Sequence, residues 1–139
     1  MISASRGGYA LDASALLTLL LNEPGQETVS AGISRAYIHS VNLAEVVGKL
    51  VREGVSHAEA EQTIGELNLD IDEELPARQA ELCGQLVAST RSQGLSLGDC
   101  VCLTVAASKG SIAVTADRRW QELDGQRIDN NQIRVQVIR

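Results

Sequence analysis

Three carboxylates in this sequence stand where a carboxylate is costly. Asp12 follows the apolar run Tyr9-Ala10-Leu11 and precedes an apolar helical stretch. Asp117 follows Ile112-Ala113-Val114-Thr115-Ala116. Asp99, placed on a helix, has Cys102, Leu103 and Ala106 as its neighbours along one stripe. An ionised group there costs several kcal/mol unless something compensates it. Each has an ordinary alternative. Asp12 can cap the helix it precedes, Asp117 can cap a short helix at Arg118-Arg119-Trp120, and Asp99 can be an early-turn acid favoured by the helix dipole. Two of the three follow strands, where an open α/β sheet places its site. The set therefore carries more weight than any member.

The remaining acids are ordinary. Asp70, Asp72, Glu73 and Glu74 form a charge run expected in solvent, Glu59, Glu61, Glu66 and Glu81 lie on amphipathic helices, and Asp124 and Asp129 sit in polar loops. On the helix that follows Ser40, Asn42, Glu45, Lys49 and Arg52 share a polar face opposite Leu43, Val46, Val47 and Leu50. Periodicity alone places Glu45 in solvent. His39 and His57 have no partner visible in the sequence.

The elements that must position these groups alternate in type. Strands are expected at 9–11, 36–39, 69–71, 112–115 and 133–138. Helices are expected at 14–22, 25–34, 41–52 with Ser40 as its cap, from Ser56 to about Leu67, at 76–92, at 97–109 closed by Gly110, and briefly around Trp120. Residues 1–8 are small and polar and read as a loose N-terminus. Strands such as Ile112-Ala113-Val114-Thr115 lack a polar face, which predicts a mainly parallel sheet covered by helices on both sides.

The chain has 139 residues, the size of one domain. Its 44% hydrophobic and 22% charged fractions exclude a disordered chain. The apolar run from Ala13 to Leu21 falls short of the roughly 20 residues of a membrane span. Asp12 before it and Asn22-Glu23-Pro24-Gly25 after it do not fit a secretory signal. Cys83, Cys100 and Cys102 are odd in number and read as buried small hydrophobes of a reducing compartment, hence a cytoplasmic protein. A net charge of −6 disfavours nucleic-acid binding through bulk charge, and three aromatics give no stacking platform. Any action on a polyanion would need a local basic rim or a bound cation.

Four short motifs occur in a telling order: Leu11-Asp12-Ala13-Ser14-Ala15-Leu16-Leu17, Asn42-Leu43-Ala44-Glu45, Leu97-Gly98-Asp99, and Thr115-Ala116-Asp117 with Trp120. In this order the chain resembles PIN domains, and most closely the VapC-type toxins of bacterial toxin–antitoxin pairs. The resemblance covers almost the whole chain. It implies a single PIN-like domain over residues 1–139, an α/β/α sandwich, and a metal-dependent endoribonuclease neutralised by a VapB-type antitoxin and commonly homodimeric. It implies that Asp12, Glu45, Asp99 and Asp117 are the catalytic acids. Asp12, Asp99 and Asp117 would ligate Mg²⁺ or Mn²⁺, with Glu45 acting through water. Ser14, Asn42 and Thr115 match its supporting polar positions. Crowded carboxylates repel, by about 4 kcal/mol at 4 Å and an effective dielectric near 20. A hard cation relieves that repulsion, engages phosphate and acidifies bound water. Lys49, Arg52, Arg118 and Arg119 are candidate RNA contacts beside these acids.

Other readings compete. A receiver module also carries an acidic Mg²⁺ pocket, but its adjacent acids after the first strand are missing here, and Lys109 precedes its strand. A phosphatase with an Asp nucleophile needs a second acid where Ser14 stands. The other competing reading is a PIN-like fold that binds RNA or a partner without cutting.

Overall fold

A computed structural model describes residues 7–139. Most of the loose N-terminus expected at 1–8 lies outside the described residues. Gly7 and Gly8 themselves are fixed: the Gly8 carbonyl accepts from Ile112 N at 3.0 Å, and the Gly7 carbonyl from Ser111 Oγ at 2.8 Å.

The chain runs through β1 (Tyr9–Leu11), α1 (Ala13–Leu20), α2 (Gln26–Gly32), β2 (Ala36–His39), α3 (Ser40–Arg52), α4 (His57–Gly65), β3 (Asp70–Asp72), α5 (Ala77–Ser89), α6 (Leu97–Lys109) and β4 (Ile112–Thr115). A 3-10 segment, Arg118–Leu123, leads to a short antiparallel pair, β5 (Arg127–Ile128) and β6 (Asn131–Gln132), and to β7 (Val135–Val137). The central sheet is parallel throughout, in the order β3-β2-β1-β4-β7.

Alternation along the strands divides the core into two layers. Tyr9, Leu11, Ile38, Ile112 and Val114 meet Leu16 of α1 and Val46 and Leu50 of α3 on one face. Ala10 and Ala113 face the other way, against α6 and its neighbours Leu82, Cys83 and Leu86 of α5. Both of these strand residues are small, which leaves room for α6 to lie on the sheet. α6 is buried nearly all round, as its run Cys100-Val101-Cys102-Leu103-Thr104-Val105 requires. All three cysteines are buried and unpaired, as expected. No helix among the described residues is long and apolar enough to cross a membrane.

The expected elements are present with shifted ends. The strand expected at 69–71 pairs one residue later, through Asp70–Asp72. The helix expected at 76–92 stops at Ser89, and a separate 3-10 turn, Arg91–Gln93, follows. The last strand is trimmed to Val135–Val137, and the β5–β6 pair was not anticipated. Asp72 departs from the solvated charge run: its side chain is 8% exposed and pairs with Lys109 at 2.8 Å.

Candidate functional site

Register brings the first two functional segments together. Leu11 of β1 lies opposite Val114 of β4, and Asp12 N donates to Val114 O at 3.0 Å. Asp12 therefore leaves the sheet beside Thr115. It caps α1 by accepting from Ala15 N at 2.7 Å. Ser14 Oγ donates to its carboxylate at 2.7 and 2.9 Å, and Thr115 Oγ1 donates to Oδ2 at 2.6 Å. Both hydroxyls in turn accept a backbone N–H, Ser14 from Ala116 at 2.9 Å and Thr115 from Asp117 at 3.0 Å. Each hydroxyl thus has its proton left to give, and both give it to Asp12. Asp12 is only 4% exposed, and burial pushes its carboxyl up to about 7, against the pull of the Thr115, Ala15 and Ser14 bonds and with a further push from Asp99.

The second pair of acids meets across α3 and α6. Asn42 is buried on the side of α3 that periodicity had placed in solvent. Its Nδ2 donates to Glu45 Oε1 and to the Gly98 carbonyl, both at 3.0 Å. Its Oδ1 is buried without a hydrogen-bond partner among the described residues. Glu45 lies against Gly98: a Cβ added there would fall 2.7 Å from the Glu45 Cδ and closer still to Oε1. Glu45 stays exposed, as periodicity expects, but partial desolvation raises its carboxyl, the Asn42 bond opposes this, and the Asp99 charge adds to it. Asp99 is not sunk in the apolar stripe its helical neighbours implied. It is the third residue of α6, half-buried, and closes a capping box: Ser96 N donates to its Oδ2 at 2.9 Å, and its own N–H reaches Ser96 Oγ at 3.1 Å.

Asp117 caps the 3-10 segment and is gripped by Arg119. Nε of Arg119 reaches both carboxylate oxygens at 3.0 Å and Nη2 reaches Oδ2 at 2.6 Å. These bonds hold the Asp117 carboxyl below its usual range.

Asp12, Glu45, Asp99 and Asp117 all line one cleft of about 410 Å³, with Ser14 beside them. Lys49, Arg52 and Arg119 form its basic rim. Arg118 points elsewhere, donating to the Arg139 carbonyl at 3.0 Å. Asn42 and Thr115 act from beneath the cleft through the bonds above. His39 belongs to the frame: its Nδ1 accepts from Val41 N and caps α3, the role expected of Ser40, while Nε2 meets the Glu74 carbonyl at 2.8 Å. No residue pattern pointed to Gly98 as the seat of Glu45, nor to Arg119 as the holder of Asp117. A glycine beside Asp99 was the nearest signal.

The donor set suits a hard cation. It is all carboxylate, without thiolate or imidazole. A cation in the cleft would answer the burial that raises Asp12 and the repulsion Asp99 exerts on both Asp12 and Glu45. As the side chains stand, no three acid, histidine or cysteine groups among the described residues are gathered closely enough to hold an ion. Asp117, engaged by Arg119, is the member least ready to serve.

A profile of the PIN domain matches residues 9–126. This chain belongs to the PIN domain family. PIN domains are typically nucleases. Solved structures share the PIN fold along nearly its full length. DNA-bound VapBC from Salmonella typhimurium is 20% identical with a TM-score of 0.68, over 95% of this chain and 98% of that one. VapBC-1 from nontypeable Haemophilus influenzae is 16% identical at 0.64, over 93% and 96%. VapBC-5 from Mycobacterium tuberculosis, a toxin–antitoxin system member, is 20% identical at 0.58, over 96% and 98%. No curated protein matches. The family is not that of receiver modules, the competing assignment that shared an acidic pocket.

Proposed function

We propose that this PIN domain is a divalent-metal-dependent endoribonuclease of the VapC toxin kind, held inactive in the cytoplasm by a VapB-type antitoxin. The observation that carries the reading is the meeting of four acids from four separate segments in one cleft at the carboxyl ends of β1 and β4. Asp12, Asp99 and Glu45 would hold Mg²⁺ or Mn²⁺, Glu45 through water, with Asp117 as the fourth acid. When bound, the ion supplies Lewis acidity toward a phosphate oxygen and lowers the pKa of a coordinated water.

The chain's own residues do the rest. Ser14, Thr115 and the Ala15 N–H fix the Asp12 carboxylate where it lines the cleft, with neutral donors that an ion can supplement. Asn42 fixes Glu45 over Gly98, where its carboxylate can accept the proton of an attacking water. Lys49 and Arg52 stand at the rim to meet phosphates along the strand. The chain's net charge of −6 makes that local rim necessary.

The partner reading has support of its own. An apolar groove on α3, lined by Leu43, Ala44, Val47 and Val51, adjoins the acidic cleft at Gly48. A partner segment lying there would reach the acids, and the neighbouring structures named above are VapBC complexes. The same kind of apolar surface would serve a homodimer.

Purified protein freed of partner and supplied with Mn²⁺ or Mg²⁺ is expected to cut RNA internally, and EDTA and Asp99→Asn are each expected to stop it. Intact RNA with both ions present would leave a PIN fold that binds without cutting.

A further inference from the structure

Arg119 grips Asp117 through its backbone N–H and two guanidinium nitrogens. Oδ1 accepts from Arg119 N at 2.9 Å and from Nε at 3.0 Å, while Oδ2 accepts from Nε at 3.0 Å and Nη2 at 2.6 Å. The one Nε proton is shared between the two oxygens, so three donors, two of them on the charged guanidinium, take three of the carboxylate's four or so lone-pair sites. The guanidinium is held from its other side as well. Nη1 donates to the Gln93 carbonyl at 3.0 Å and the Gly94 carbonyl at 3.4 Å, both in the turn that leads into α6. The other bases near the cleft are engaged differently. Lys49 pairs with Glu53 at 3.2 Å, Arg118 bonds the Arg139 carbonyl, and Arg52 lines the cleft without a bond to Asp117.

Among the described residues, no cation is bonded to the other three acids, and Asp99 feels Arg119 only through space. Asp12 accepts from neutral hydroxyls and a backbone N–H, Glu45 from an amide, and Asp99 from a backbone N–H. Among the described residues, one carboxylate of the four is thus held in an ion pair within the chain.

We propose that Arg119 is an internal counter-cation that withholds Asp117 from a divalent ion, so that the cleft takes its ion through Asp12, Glu45 and Asp99 unless the Arg119 fork opens. This rests on the metal-dependent reading above and adds an autoinhibitory contact to it.

The test is Mn²⁺ affinity, measured by calorimetry on the whole chain and confirmed by the paramagnetic signal of free Mn²⁺. Arg119→Ala is expected to tighten Mn²⁺ binding about threefold or more, the scale of a partly exposed ion pair in competition. Arg52→Ala removes one positive charge from the same cleft and leaves the fork closed, so its gain is expected to be smaller. Asp117→Asn keeps the cap of the 3-10 segment. In the wild-type background it is expected to leave affinity within about twofold, and in the Arg119→Ala background to erase the gain, a coupling the double-mutant cycle reads directly.

Unchanged or weaker binding in Arg119→Ala overturns the proposal. So does an equal gain in Arg52→Ala, or loss of Mn²⁺ binding in Asp117→Asn alone. RNA cleavage by the wild type separates the two levels. Wild-type cleavage with unmoved Mn²⁺ affinity in Arg119→Ala defeats the counter-cation and spares the nuclease. Mn²⁺ binding that responds as expected in a protein that cuts no RNA does the reverse. Absence of Mn²⁺ binding in every variant defeats both.

Discussion

Asp12 is pulled in opposite directions by its own surroundings. Two hydroxyls and a backbone N–H are arranged to serve the ionised form, while burial resists ionisation and carries the carboxyl from an ordinary 3.8 to about 7. Stability must then depend on pH with a definite sign. At low pH both folded and unfolded chains hold the proton. As pH rises past 3.8 the unfolded chain releases it and the folded chain keeps it, so folding loses ground until about pH 7. The loss from this group is about 4 kcal/mol, at about 1.4 kcal/mol per pH unit. Melting curves in EDTA are expected to fall from pH 4 to pH 7 and then to level off with respect to this group. Asp12→Asn is expected to flatten that slope. Mn²⁺, which favours the ionised form, is expected to raise the melting temperature more at pH 8 than at pH 5. A metal-free protein whose stability rises through this window in an Asp12-dependent way would contradict the assignment. Asp12, Asp99 and Asp117 also show why sequence left two readings of each acid open. Every one of them both caps a helical segment and lines the cleft, so a capping role does not exclude a place in the cleft.

The same overlap holds for elements. α3 and α6 meet where Gly98, in the first turn of α6, faces Glu45, and Asn42 ties the two helices together. Gly98→Ala places a methyl group where the Glu45 carboxylate lies. The carboxylate is the far end of a flexible side chain and can swing away, so folding survives, and removing a helical glycine favours the helix by up to about 1 kcal/mol. Cleavage is expected to fall about tenfold or more because Glu45 loses its seat, while the melting temperature holds or rises. Full activity in Gly98→Ala would show that Glu45 does its work from another position. Asn42→Ala is expected to lower activity similarly and also to destabilise the chain by about 1 to 2 kcal/mol, through a buried amide whose two bonds are lost. The shared face of Asn42 and Glu45 was legible from helical spacing, but the contact of Asn42 with Gly98 was not, because it spans 56 positions. What was legible was the layer pattern. β1, β2 and β4 are short runs buried on both faces, and α6 is apolar all round, so both announce a covered parallel sheet. The polar two-residue strands β5 and β6 have no alternation to read, and the His39 cap uses a ring nitrogen that residue preferences rank low.

At the scale of the molecule, the proposed nuclease activity requires a chain of net charge −6 to approach a polyanion. Arg52 and Lys49, the latter in an exposed pair with Glu53 that a phosphate can displace, are the bases the cleft offers, since Arg118 is turned away and Arg119 is gripped by Asp117. Each phosphate contact to single-stranded RNA contributes about 0.7 to the log–log slope of affinity against salt. Two contacts give a slope of about −1.4, far shallower than a basic nucleic-acid binder shows. The acidic body works in the opposite sense, because salt screens its repulsion of RNA as well. The KM for a single-stranded RNA at saturating Mn²⁺ is therefore expected to rise only gently with salt. Arg52→Ala should raise KM at low salt and reduce the slope by about 0.7, with kcat little changed, because a rim contact acts on binding. Arg118→Ala should move neither. A steep salt dependence, or one that Arg118→Ala diminishes, would mean that RNA crosses the surface along a path other than the cleft.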